Sequence, residues 1–279
     1  MGAEVRVSAV PVDVTIGDVE GNLGRIRATL EKIRGEGPHL IVLPELATSG
    51  YVFTDRDEAA ACALRADDPA LASLGDELAP ETVLVVGFCE RDDAFLYNSA
   101  LIVHAGGVLG CYRKSHLWAA ERTVFEPGPE AGMVVDTPVG RLGVAICYDN
   151  EFPELPRRLA LAGAEILALP VNWPLVERPA GERPPEIVQA MAAARSSRLP
   201  TVVADRHGSE RGVVWTGGTC VISPDGWVCA RSTGIHAPAS TMLNLLPDKV
   251  IGEFNDLFAD RRPDLYGDIA VPRTPARLP

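Results

Sequence analysis

Short apolar, β-branched stretches recur along the whole chain and fall into two sets, each with amphipathic segments beside it. This is the strongest constraint on the fold. A strand that is apolar on both faces must be covered on both, so the chain has to build packed layers. The first set comprises Val5 to Val10, residues 40–43 closed by Pro44, and three runs at 82–89, 97–103 and 108–113. Asp92-Asp93 and Gly106-Gly107 separate those three runs, which read as an antiparallel meander. The second set lies at 141–146, 166–169, 201–204, 213–223, 227–231 and 240–246. Between them, 18–34 carries Val19, Leu23, Ile26, Leu30 and Ile33 at helical spacing. Asp18 is its expected cap and Gly35 its stop. Further helices are expected over 154–162, after Pro153, and over 184–198, opened by Pro184-Pro185; the Ala-rich stretch 55–79 reads as helical in part. Two sheets packed on each other with helices outside use this inventory: an α/β chain in four layers, α-β-β-α.

The linker-like stretch 174–185 is short enough to be a surface loop, so residues 1–279 are expected to form a single domain. The tail from about 247 is charged and contains prolines, yet it carries Phe254, Leu257, Phe258, Leu265 and Tyr266. A free tail has no need of them, and the expectation is that it docks, across a two-fold interface between copies of the chain.

A net charge of −12 disfavours nucleic acid and anionic membrane as partners. The absence of a long apolar run argues against a spanning helix, and the N-terminus lacks a basic segment followed by an apolar one. The 6 cysteines show no CxxC spacing, and with no leader visible they are expected to be reduced thiols in a cytoplasm. No His, Cys or carboxylate cluster has metal-ligand spacing, so neither metal nor cofactor is expected.

What ends the apolar strands is informative. Leu43-Pro44 leads into Glu45, the run 108–113 into Lys114, and Val144-Ala145-Ile146 into Cys147. Residues at the ends of strands on a rigid sheet are placed to converge. A thiol is a strong nucleophile once activated, a carboxylate can take its proton, and an ammonium can hold charge on a carbonyl oxygen. Each also has an ordinary reading: a solvated loop glutamate, an edge-strand lysine that blocks pairing, a buried inert thiol. Spacing alone leaves both open. No Ser-His elbow competes, since Gly-x-Ser-x-Gly is absent; His116 reads as shaping the loop after Lys114, and Trp118 and Trp173 as pocket lining or core.

The segments Leu43-Pro44-Glu45-Leu46-Ala47-Thr48-Ser49-Gly50-Tyr51, Tyr112-Arg113-Lys114-Ser115-His116-Leu117 and Gly143-Val144-Ala145-Ile146-Cys147-Tyr148-Asp149 resemble, in order and spacing, the three signature blocks of the nitrilase superfamily of carbon–nitrogen hydrolases. Phe152-Pro153-Glu154, Gly163-Ala164-Glu165, Asn172-Trp173 and Ala204-Asp205-Arg206 match further, and the tail is similar to that of small prokaryotic amidase-like members. The resemblance implies the four-layer sandwich and a homodimer or larger assembly. It implies that Cys147 is the nucleophile, Glu45 the general base and Lys114 the oxyanion-stabilising cation, with the Tyr148 N–H as second donor. Glu121 matches the family's second glutamate and is expected to orient Lys114; nearby Glu126 reads as a surface residue. Asn172 and Trp173 are expected at the substrate.

Where true nitrilases follow the cysteine with Trp-Glu, this chain has Tyr148-Asp149, which points to a small-molecule amide as substrate, with carbamoyl amines or amino acids as the alternative. A nitrilase, an acyltransferase and a catalytically silent binding subunit stand further off. An Arg-Ala-x-Glu-Asn stretch usual in the family corresponds here to Ala193-Ala194-Arg195-Ser196-Ser197, so its Glu–Asn pair is absent.

Overall fold

The computed structural model describes residues 3–245 and 249–271. Its chain divides into two compact units, Met1–Pro247 and Asp248–Pro279. In chain order the strands of the first unit are β1 (Ala3–Ala9), β2 (His39–Val42), β3 (Thr82–Asp92), β4 (Phe95–His104), β5 (Gly107–Arg113), β6 (Met133–Thr137), β7 (Gly140–Val144), β8 (Ile166–Pro170), β9 (Thr201–Ala204), the short pair β10 (Ser209–Glu210) and β11 (Val213–Val214), β12 (Cys220–Ile222), β13 (Val228–Arg231) and β14 (Ala239–Leu245). The helices are α1 (Val19–Ile33), α2 (Arg56–Ala61), α3 (Pro69–Ala72), α4 (Glu154–Leu161) and α5 (Pro185–Ser197).

Two six-stranded sheets form, ordered β14-β1-β2-β3-β4-β5 and β13-β12-β9-β8-β7-β6. In the first, β1, β2 and β3 run parallel, with antiparallel β14 on one side and β4 and β5 on the other. Read from β6, the second repeats that pattern: β7, β8 and β9 are parallel, flanked by antiparallel β6 and by β12 and β13. The sheets pack face to face, β1 against β9 and β12, and β2 and β3 against β8. The four layers expected from the sequence are those of the structure.

Both faces of the central strands are covered. Leu84, Val86 and Phe88 of β3 join a core with Leu23, Ile26 and Leu30 of α1 and Leu71 of α3, while Val83 and Val85 are equally buried on the other face. Asp18 caps α1 by accepting the Gly21 N–H at 3.0 Å, as its sequence position predicts. On the second sheet, α4 lies close enough to β7 that a Cβ on Gly143 would meet Leu159 Cδ1 at 3.6 Å.

Two expectations fail. The stretch 213–223 is not one strand: it breaks between β11 and β12, where Gly217 takes φ +66° and Gly218 and Thr219 turn in to bond Asp205. Strand β6 lies where the sequence reading placed none. The last residue of the strand expected over 240–246 lies outside the described residues. In the second unit, β15 (Val250–Gly252) pairs with β16 (Asn255–Asp256), and two 3₁₀ turns follow at Pro263–Leu265 and Gly267–Ala270. Among the described residues no helix is long and apolar enough to cross a membrane.

His39, buried on β2, sits 2.8 Å from Ser8 Oγ of β1, which in turn meets Ser240 Oγ of β14. Burial, helped by Arg6, pushes its pKa down to about 4. The unfolded chain binds a proton near pH 6.5 that the fold refuses, so this contribution is fully present above that pH and is lost as pH falls toward 4. It amounts to about 3 kcal/mol over the window. Urea midpoints taken near pH ~7.5 and ~4.5 should therefore drop further for the natural chain than for His39→Gln; equal drops would clear His39.

Candidate active site

Each of the residues read from strand ends is held by a different part of the first unit. Glu45 follows β2 directly, and the chain there crosses β3 at Gly87. A Cβ on Gly87 would stand 2.5 Å from Pro44 O and from Leu46 N, so no other residue fits beneath Glu45. Leu46, next in line, has φ +48°. Lys114 begins where β5 ends, and its N–H donates to Asn98 O of β4 at 2.8 Å. Cys147 follows β7 and opens a 3₁₀ turn, Cys147–Glu151; it too has φ +48°. A left-handed conformation at a non-glycine residue costs about 1–3 kcal/mol and turns the side chain out of the line of the strand.

These elements bring the charged groups together. Lys114 Nζ donates to Glu45 Oε1 at 2.6 Å and to Glu121 Oε1 at 2.8 Å. All three side chains are buried. Asn98 Nδ2 donates to the same Glu45 oxygen at 2.7 Å, Tyr51 OH donates to Glu121 Oε1 at 2.6 Å, and the Trp118 N–H donates to Glu121 Oε2 at 3.0 Å. Asn172 Nδ2 bonds Glu45 O at 2.8 Å. Among the described residues Glu45 Oε2 finds no partner. One carboxylate oxygen is thus fastened and the other left to accept a proton.

The electrostatics follow from burial. It raises Glu45 to a pKa of about 7; Lys114 opposes the rise, and Glu121 adds to it. Burial pulls Lys114 down, but Glu121 and Glu45 outweigh it and hold the ammonium well above its usual range. The Cys147 thiol is pushed up by burial and then by Glu45, against the pull of Lys114. A buried thiol, a carboxylate titrating near neutrality and a permanent ammonium can together deliver a nucleophile and hold an oxyanion.

Cys147, Tyr148, Asn172 and Trp173 line one cavity of about 380 Å³, together with Trp118, Glu151 and Glu186. A neighbouring cavity of about 220 Å³ shares Trp118 and reaches Glu121 and Tyr51. Trp118 stands edge-on to Tyr148, ring centres 4.9 Å apart. Every residue expected at the site is therefore in the cluster or on the cavity wall, and Glu126, expected at the surface, is exposed.

The sequence reading missed the supports. Asp149 receives Tyr112 OH at 2.7 Å, Ser115 Oγ at 3.0 Å, the His116 N–H at 3.0 Å and the Ile146 N–H at 2.9 Å, with His116 Nδ1 at 2.8 Å. It ties the Lys114 loop to the Cys147 turn, and His116 shapes that loop as expected. Asp205 receives the N–H groups of Trp173, Gly218 and Arg206, and burial raises it to a pKa of about 7. Asn98 carried one usable signal, a polar residue inside an apolar strand.

A family model described as carbon-nitrogen hydrolase matches residues 6–234. Among curated relatives, a protein named nitrilase from Pyrococcus abyssi is 34% identical over 268 residues, covering 94% of this chain and 99% of its own. An (R)-stereoselective amidase from Pseudomonas sp. is 33% identical over 266 residues, covering 95% and 94%. Among solved structures, an amidase from Nesterenkonia sp. superposes with a TM-score of 0.77 at 25% identity, covering 95% of this chain and 96% of that one.

Asp149→Asn keeps the size of the side chain but turns an acceptor into a donor against buried donors. Mispairing costs about 1–3 kcal/mol, which at ~2–4 °C per kcal/mol lowers the thermal midpoint by several degrees. Calorimetric scanning of the variant checks this; an unchanged midpoint would mean the two loops are held without Asp149.

Proposed function

The chain belongs to the carbon–nitrogen hydrolase family of the nitrilase superfamily, and from that premise we propose that it is an amidase converting small aliphatic amides to acid and ammonia. Glu45 takes the Cys147 proton as the thiol attacks the carbonyl carbon. Lys114 and the Tyr148 N–H hold the resulting oxyanion, and Glu121 keeps Lys114 in place. Collapse breaks the carbon–nitrogen bond; ammonia leaves with the proton from Glu45, and a thioester remains on Cys147. Glu45 then deprotonates water, which attacks the thioester, releases the acid and restores the thiol. A Glu45 pKa of about 7 suits both directions of transfer at neutral pH.

One observation favours amides over nitriles. Asn172 is fully buried on the wall of the cavity, and its Oδ1 has no partner among the described residues. An amide or carbamoyl NH₂ can donate to such an acceptor; a nitrile nitrogen cannot. Tyr148-Asp149 after the nucleophile agrees with that reading. The cavity, near the lower end of the usual range for small-molecule sites, suits a compact substrate. Carbamoyl compounds present the same NH₂ and are the second reading. The free thiols fit a reducing, cytoplasmic setting.

The test is kcat/KM for propionamide, a carbamoyl amine and propionitrile on one preparation, with Cys147→Ala as control. The amide should lead, the nitrile should be poor, and the control should be inactive. A nitrile turned over as well as the amide overturns the amidase reading; turnover of the carbamoyl amine alone hands it to the second.

The assembly is a homodimer or larger. Phe254 is 84% exposed and Leu265 62% exposed in the second unit, apolar surface that a partner chain would cover. Light scattering at micromolar concentration should give at least twice the chain mass, falling when the chain is cut at Phe254; a monomer both with and without the tail would exclude this.

A further inference from the structure

Glu151 and Glu186 are the charged side chains on the wall of the cavity that holds Cys147. They come from separate elements, the end of the 3₁₀ turn that Cys147 opens and the first turn of α5. Among the described residues no lysine or arginine shares that wall. Glu151 is partly exposed, and its partial burial together with the negative charge of Glu186 raises its proton affinity. Glu186 Oε2 is shut off from solvent and finds no hydrogen-bond partner among the described residues. Two carboxylates that line one cavity and feel each other's charge repel, an arrangement that does not favour the stability of the fold.

The rest of the wall points the same way. Trp118, Tyr148 and Trp173 line the same cavity, and aromatic side chains can attract cations. Asn172, fully buried, contributes the further unpartnered acceptor already described. The unmet polar groups here are all acceptors, so the missing partner is a molecule rich in N–H donors and positive charge. A rim of ordinary solvated glutamates would leave Glu186 Oε2 in water, which it is not.

We propose that Glu151 and Glu186 form a subsite for a cation, so that the preferred substrate carries a protonated primary amine at the end remote from its carboxamide. This rests on the amidase reading above. The ammonium sits between the two carboxylates, within reach of the aromatic wall, while the carboxamide lies at Cys147 and Asn172. An amide whose far end is a carboxylate meets like charge there and is rejected. The net charge of −12 draws the same cation toward the protein.

The experiment compares δ-aminovaleramide, valeramide and glutaramate, which are close in shape and carry positive, no and negative charge. The natural enzyme should rank them in that order in kcat/KM, with the cationic amide ahead of the neutral one by about tenfold or more. The lead should shrink with added salt, since part of the site is open to solvent. In Glu151→Gln/Glu186→Gln the ratio of cationic to neutral amide should collapse to within about threefold. Should the double variant misfold, Glu151→Gln alone, at an exposed position, should still lower the ratio. Equal turnover of the cationic and neutral amides by the natural enzyme overturns the subsite and leaves the amidase reading intact. If none of the three is hydrolysed, the amidase reading falls, and titration calorimetry on Cys147→Ala decides the subsite separately. Tighter binding of δ-aminovaleramide than valeramide, lost when both glutamates are also replaced, supports it; equal binding, or none, overturns it.

Discussion

Lys114 is buried with its ammonium shared between Glu45 and Glu121, and much of the first unit is arranged around that fact. Taking three charges out of water costs several kcal/mol per ion, and such a cluster persists only if its geometry is tight and most of its remaining atoms are bonded. Glu121 meets that condition through Tyr51 OH and the Trp118 N–H, and Glu45 Oε1 through Asn98. The low dielectric that makes the cluster costly is also what makes it useful. A fixed ammonium acts on a developing oxyanion far more strongly there than in water. The same burial raises the pKa of the Cys147 thiol, so the proposed attack calls for a base at hand, and a Glu45 lifted to about 7 fits that proposed role.

The two sheets explain how these groups meet. Because the second sheet repeats the order and direction of the first, β8 stands where β2 stands in its partner. Glu45 follows β2 and Asn172 follows β8, and the two are joined directly, Asn172 Nδ2 to Glu45 O. Convergence thus follows from packing one βββ core against another. What packing does not supply is the last adjustment of direction, and there the chain accepts strain. Leu46 and Cys147 both take φ +48°, and Gly87 gives up its side chain so that Glu45 can pass over β3.

The sequence made the layers legible because period and burial act locally. The apolar spacing of α1 and the turns of the β3–β5 meander each declare themselves within a few residues. Glu45, Lys114 and Cys147 were visible as strand-end residues, but their convergence came from resemblance, since nothing local measures the distance between residues 45 and 114. The supports were hidden for the same reason. Asp149 bonds Tyr112, Ser115 and His116 across more than thirty residues, and Glu151 and Glu186 face one cavity from separate elements. The break at 215–219 was also a long-range matter: the stretch has the composition of a strand, but Gly218 and Thr219 are drawn to Asp205 instead.

The site has two parts that answer to different constraints. Glu45, Lys114 and the backbone of Cys147 hang from strand ends in both sheets and Glu121 from the 3₁₀ turn Ala119–Thr123; Asn98, Asp149 and Gly87 fix them, so a shift in any one would misplace the others. The far wall of the cavity is built differently. Pro174, Pro185 and Glu186 belong to the loop over 174–185 and the start of α5, and Glu151 to the outer end of a turn; none of them bonds the buried cluster. Side chains there can change in charge or size without taking a partner from Lys114 or Glu45. Activity is set by such sites more than by the fold, and the two parts of this one draw on separate contacts except at Asn172, which bonds Glu45 O. In this chain the recognition wall is negative and the reacting centre already holds an unmatched carboxylate. An incoming molecule with positive charge at its far end would relieve the first without disturbing the second.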